Sequence, residues 1–407
     1  METIYRWLTH VYLLLVAFQF SLGGLLTEIS IRPIPISIQG VLTLITYLIL
    51  FLLAIIRLPI FPRGHILFLL IGVVILFAGI EGMHNNNADM YQAQYLINLS
   101  AFFLSFSLIY YNNNKALILA VIVKSAFILC IISTIIVIQN LGKDNRALEM
   151  TASFGILILL WYLVSGRGQA FQRYVTLALV YISAYAVFSD SARSAILTII
   201  AGFFVIPLFS RKPSLLIRAT LAFSIIPVFL LSLSLNDYWV RWFYYNPSGH
   251  RDNVQLVTDN AIIGPIELNA FGRKIIWTHI LEETSNRRCQ DQLFGSGVGT
   301  SSKLTLQVSQ LDKPLNEFLR IYVDFGFLGL LFWIATLLFL AIAFMKKLWC
   351  NCLPQSDASP LGIATLFGLF VYSSFDNIFS YGWLMIMLGI LLGAILAKDN
   401  QHALKGL

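Results

Sequence analysis

The sequence predicts an all-α, polytopic integral membrane protein of about twelve spans with one large loop on a single side of the bilayer. Three observations carry that prediction. Hydrophobic residues make up 58% of the 407 and charged residues only 12%. A soluble domain carries about 25% charged residues, so this chain has too little polar surface to coat itself in water. Apolar stretches of the roughly 20 residues that a bilayer core requires recur from end to end, and Lys and Arg are distributed unevenly between the segments joining them. Backbone groups in lipid must be satisfied internally, so the stretches are helices or strands of a closed barrel. Runs such as Leu67 to Ala78 are apolar at every position and lack the alternating polarity of barrel strands. They read as helices.

The first stretch, Val11 to Leu26, has no small-residue cleavage motif and reads as a retained span over 8–26. Further spans fall at 38–56, 65–81, 94–111, 115–139, 151–165, 173–189, 191–209, 215–235, 327–345, 359–375 and 381–397, with a tight turn at Asp190 and Ser191 between the seventh and eighth. One side then holds Arg6, Arg57, Arg63, Lys115, Arg167, Arg173, Arg211, Lys212, Arg218, Lys346, Lys347, Lys398 and Lys405. The short loops of the other hold only Arg32, Lys143, Arg146 and Arg193. That asymmetry places the basic side, and with it both termini, in the cytoplasm. Residues 236–325 would face outward as a loop too long to lack a function, within a single membrane domain over 1–407. In this loop, Ile275, Ile276, Ile280 and Leu281 are apolar at helical spacing across Arg273 to Glu283. Trp239, Trp242, Phe243, Tyr244 and Tyr245 suit the membrane interface.

The net charge of +7 does not point to nucleic acid, because the basic residues stand in ones and twos at span ends. Cys130 lies in a span, Cys289 in the loop, and Cys350 and Cys352 beside a basic span end, which is no disulfide framework. The six histidines fall singly, without metal-ligand spacing. No metal or cofactor is predicted.

Charge inside or beside a span is expensive and calls for an explanation. Arg193 opens the eighth span on the outer side, and Arg273 follows Gly272 at the start of the amphipathic stretch. The planar arginine fork grips phosphate oxygens through two hydrogen bonds at once, so two such residues at membrane depth suggest a diphosphate head group. The alternative pairs Arg193 with Asp190 and Arg273 with an acid such as Glu267. Gly295-Ser296-Gly297-Val298-Gly299-Thr300 follows no predicted strand and lacks the βαβ setting of a dinucleotide fingerprint. It reads as a loop turn, with Gly297 a place against which a sugar could pack. Glu317 begins a helix. It is a candidate general base, and a helix-capping role competes with that reading because the helix dipole favours the ionised carboxylate there. Asn316 and Arg320 share a helix face, next to Glu317, and the sequence implies that this helix runs straight into the tenth span.

Taken together, these segments resemble the superfamily of bacterial O-antigen polymerases and O-antigen ligases. The likeness runs through Ser191-Ala192-Arg193-Ser194-Ala195, Phe271-Gly272-Arg273 with Trp277, and Gly295-Ser296-Gly297-Val298-Gly299. It continues through Pro314-Leu315-Asn316-Glu317-Phe318-Leu319 and Phe325-Gly326-Phe327-Leu328-Gly329. The resemblance implies a GT-C-like membrane glycosyltransferase of the bacterial inner membrane with the large loop in the periplasm. It implies as partners an undecaprenyl-diphosphate-linked glycan donor and acceptor, the membrane lipid and a chain-length regulator. It also implies that Arg193 and Arg273 hold the diphosphate, with Asn316, Arg320 and Gly297 in the substrate site and Glu317 in the catalytic one. Ligases of this superfamily carry a histidine just before the Asn, with a glycine eleven positions later. Here Leu315 takes the histidine position while Gly326 keeps the spacing. Leucine moves no proton, which favours polymerase over ligase. A lipid-linked oligosaccharide transporter is the reading from another class, and it predicts charges lining a cavity through several spans.

Overall fold

The computed structural model describes residues 2–26, 30–31, 36–57, 71–75, 90–110, 115–139, 146–166, 169–189, 193–210, 214–235, 254–258, 261–266, 270–309, 313–349 and 358–397. Helices α1 (Glu2–Leu26) and α2 (Ile38–Arg57) flank a minimal antiparallel hairpin, β1 (Ser30–Ile31) with β2 (Ile36–Ser37). There follow α3 (Met90–Tyr110), α4 (Lys115–Gln139), α5 (Arg146–Val164), α6 (Ala170–Ser189), α7 (Arg193–Phe209), α8 (Leu215–Phe223) and α9 (Ile225–Leu235). The large loop contributes a second hairpin, β3 (Val254–Thr258) with β4 (Ala261–Ile266), then α10 (Ala270–Ser285), α11 (Cys289–Phe294) and α12 (Thr300–Val308). The chain closes with α13 (Glu317–Trp349), α14 (Ser359–Phe375), a 3-10 turn (Ile378–Ser380) and α15 (Gly382–Leu396).

The fold is that of a helical membrane protein. Among the described residues six helices are long and apolar enough to cross a bilayer: Ile38–Ile56, Lys115–Ile136, Arg146–Val164, Ala170–Ser189, Leu215–Ser232 and Glu317–Trp349. Four shorter apolar helices, Gln94–Tyr110, Arg193–Phe209, Ser359–Phe375 and Gly382–Leu396, accompany them. Of the expected third span only 71–75 is described, as helix. Asp190, Ser191, Ala192, Trp239 to Tyr245, Glu267, Cys350, Cys352, Lys398 and Lys405 lie outside the described residues. The Leu215–Ser232 stretch is broken between α8 and α9. Pro227 explains the break, since its ring clashes with the carbonyl four residues back, that of Phe223.

Helix α15 is buried on every side over Gly382–Ile395 and packs most closely on α3. A Cβ at Gly389 would stand 2.5 Å from the Phe102 carbonyl oxygen, so only glycine permits that approach. Hydroxyls tie the bundle at intervals: Tyr12 with Ser105 at 2.8 Å, and Tyr372 with Ser153 at 2.9 Å.

These contacts fix which helix ends lie together. Tyr372 meets Ser153, and Gly368 faces both Phe154 and Thr198. The start of α5 with Glu149, the start of α7 with Arg193 and the end of α14 with Phe375 therefore share one end of the bundle. At the opposite end, basic residues cap helix carbonyls, where the macrodipole favours cations. Arg173 donates to Gly166 at 2.6 Å, Arg218 to Ser210 at 3.1 Å, and Lys347 to Ile395. All three belong to the basic set that the sequence places on one side.

Candidate functional site

The acidic and basic residues singled out in the sequence gather at the first of those ends, around the connection between α14 and α15. Asn316 caps α13, its Oδ1 accepting the Leu319 N–H at 2.9 Å while its carbonyl accepts the Arg320 N–H at 3.0 Å. Capping therefore belongs to Asn316, which frees Glu317 to turn elsewhere. Glu317 is fully buried; its Oε1 accepts the Phe379 N–H at 3.0 Å and its Oε2 lies 3.7 Å from Arg320 Nη1. Arg320 is equally buried and stacks 3.7 Å above the centre of the Tyr95 ring. A desolvated cation over an aromatic face is worth about 2 kcal/mol. Tyr95 in turn donates its phenol to Asp324 Oδ2 at 2.8 Å. Asp324 also accepts the Ser301 N–H at 2.9 Å and the Gly299 N–H at 3.3 Å. Its charge thus sits at the start of α12, where the helix dipole supports it.

Glycine 326 corrects the expectation of a straight run from Glu317 into the membrane. Its φ of 69° and ψ of −170° break α13 into a short leading helix and a long apolar one. The cause is a close approach of backbones: a Cβ at Gly326 would lie 2.3 Å from the Leu293 carbonyl oxygen and 2.5 Å from the Gly295 nitrogen. The glycine-rich turn is bonded to this kink, Ser296 N–H to the Val323 carbonyl and Gly297 N–H to that of Asp324, each at 3.1 Å. Gly297, expected as a place against which a sugar could pack, is half-buried and its N–H also makes it a backbone clasp on α13. Asp324 ties the turn to Tyr95, one helical turn from Asn98, whose amide donates to the same Phe379 that binds Glu317.

Arg273 is half-buried and donates from Nη1 to the Phe375 carbonyl at 2.7 Å, at the C-terminus of α14. It therefore approaches the same connection that Glu317 grips four residues later. Trp277, one turn on, donates Nε1 to the Pro314 carbonyl at 2.7 Å. Beside it Leu315 holds φ +54°, a left-handed conformation that is costly for a branched side chain. Ile276 and Ile280 bury against Leu304, Val308, Leu319 and Val323, the small core that fixes the loop helices to the leading part of α13. Arg193, half-buried at the first turn of α7, shares this end of the bundle. Arg193, Arg273, Asn316, Glu317 and Arg320 thus collect at one end.

Two participants were missed in the sequence, Tyr95 and Asp324, and with them Glu149, an acid buried in the first turn of α5 at the same end of the bundle. Asp324 and Glu149 carried a readable signal, since each is an acid at the edge of an apolar run. Tyrosines in a span carry none. Among the described residues no group of three or more His, Cys, Asp and Glu is arranged to hold a metal ion. No model of a known protein family matches the chain, and no curated protein matches it.

Proposed function

We propose that this chain is a membrane glycosyltransferase that joins undecaprenyl-diphosphate-linked oligosaccharide repeat units into O-antigen or a related surface polysaccharide. The observation that carries the reading is the gathering of Arg193, Arg273 and the buried Glu317–Arg320 pair at one end of an apolar helical bundle. A lipid-anchored diphosphate is confined to that depth. In this reading the bundle has twelve spans in the bacterial inner membrane, with both termini cytoplasmic and 236–325 periplasmic. The helix ends capped by Arg173, Arg218 and Lys347 then face the cytoplasm, in keeping with the positive-inside bias.

The acceptor hydroxyl of one lipid-linked unit attacks the anomeric carbon of the donor glycan. The bond from that carbon to the diphosphate breaks, and the diphosphate leaves with the electron pair. Arg193 and Arg273 stabilise the charge as it develops, and the hydroxyl proton passes to the Glu317 carboxylate. Arg320, held on Tyr95, lies 3.7 Å from that carboxylate and favours its ionised form against the opposing cost of burial. Polymerase is favoured over ligase because the position before Asn316 is an apolar, buried leucine in a strained backbone.

The lipid-linked products that accumulate in a strain lacking the protein test this. Single repeat units on lipid A core are the expected result. Complete polymer retained on undecaprenyl diphosphate would assign a ligase instead, and unchanged surface polysaccharide would overturn both.

A further inference from the structure

Lys124 stands near the middle of α4, nine residues after Lys115 and twelve before Ile136 in a candidate span. At 1.5 Å per residue it lies about 14 Å from the nearer end, farther than its side chain extends. Its side chain is exposed, and among the described residues it has no hydrogen-bond or ion-pair partner. Leu117, Ile128, Ile131 and Ile135 are exposed on the same helix. With Val121 and Lys124 they form the series 117, 121, 124, 128, 131, 135, spaced alternately by four and three. That is the spacing of one helix face, and where another helix packs on such a face a polar residue within it fixes register and partner. Beside it runs an apolar groove of about 580 Å³, bounded by Val11, Leu14, Phe18 and Leu22 of α1 and by Ser125 and Ile128 of α4.

Apolar surface alone needs no partner in lipid, because acyl chains solvate it as well as leucine does. The ammonium does. A lysine near a helix centre costs about 2.5–3.5 kcal/mol in hydrocarbon, and the depth of Lys124 keeps it from a head group. We propose that the α1–α4 groove is the docking site of a transmembrane helix from a partner protein, one that carries an aspartate or glutamate near its centre to pair with Lys124. A second copy of this chain does not fit, since a twofold contact through this face sets lysine against lysine. The proposal stands independently of the glycosyltransferase reading.

The intact protein, reconstituted in vesicles with a leucine-rich transmembrane peptide bearing one central Glu, Gln or Leu, tests it by fluorescence transfer. The Glu peptide is expected to associate about five- to thirtyfold more strongly than the Leu peptide. Lys124→Leu should remove that preference, and Lys124→Glu should transfer it to a peptide bearing Lys. In a variant lacking native thiols, Leu14→Cys should form a disulfide with a peptide cysteine one turn from the Glu. Equal association of the Glu, Gln and Leu peptides, or a preference that survives Lys124→Leu, overturns the assignment. Lys124-dependent labelling of α1 and α4 by a photoactivatable phosphatidylglycerol, with no Glu-peptide preference, would give the groove to a lipid and also overturn it.

Discussion

A buried carboxylate with one oxygen hydrogen-bonded and the other beside an arginine is either a positioned base or part of the frame, and Glu317 can be tested for the difference. Glu317→Gln keeps an oxygen for the Phe379 N–H while removing the charge beside Arg320. As the base, it should lose about 10²–10⁴ in turnover with donor binding intact. Thermal unfolding of the same preparation supplies the control, because stripping one partner from a buried ion pair costs about 3–5 kcal/mol. Stacking on Tyr95 should hold that cost low. Near-normal polymer from the variant would remove Glu317 from the chemistry. The arginines make a second prediction. Arg193→Lys and Arg273→Lys should each lose polymer at normal protein level, because a point charge does not reproduce a two-pronged grip on diphosphate. A hydrogen bond to a charged group is worth about 1.5–3 kcal/mol, so each loss should reach about tenfold or more. Full activity in both lysine variants would leave the arginines only a charge-balancing role, which for Arg273 is already half visible in its bond to the Phe375 carbonyl.

Among the elements, α13 is the one on which the site depends, and its kink is the most exposed point in the design. The leading helix is held by the Asn316 cap, by the Ile276–Ile280 face of α10 and by the glycine-rich turn. Gly326→Ala would add a Cβ 2.3 Å from the Leu293 carbonyl oxygen at a φ of 69°. Left-handed strain and overpacking each cost about 1–3 kcal/mol, so the thermal midpoint in detergent should fall clearly and polymer should be lost with it. A wild-type midpoint would mean that the turn and the helix separate without cost. The sequence showed the glycines of this turn but not their use. Gly295 and Gly326 are 31 positions apart, and nothing in either segment announces that each exists to admit the other's backbone. The cap was equally hidden: Asn316 and Glu317 are both plausible at a helix start, and only the amide of Phe379, delivered from another element, draws Glu317 away.

For the whole molecule, the prediction concerns sidedness. Lys303→Cys, in a variant lacking native thiols, should react with an impermeant maleimide once the outer membrane is breached and without opening the inner one. Labelling only after the inner membrane is permeabilised would invert the topology and move the site to the cytoplasmic face. Helical class, membrane residence and the segregation of Lys and Arg were determined by the sequence alone. Each depends on composition along the chain: lipid offers no partner to a backbone amide, so any apolar run of sufficient length must fold into a helix. The site was legible only in part, because Arg193, Arg273 and the 316–320 segment are polar groups standing out against an apolar background. Tertiary structure alone decided that Glu317 faces Phe379, that Arg320 rests on Tyr95, and that Asp324 joins α3 to the start of α12. Those pairings bring together residues far apart in the chain, up to 229 positions in the case of Tyr95 and Asp324. Burial makes each of them matter, since a charge removed from water persists only where packing supplies its partner.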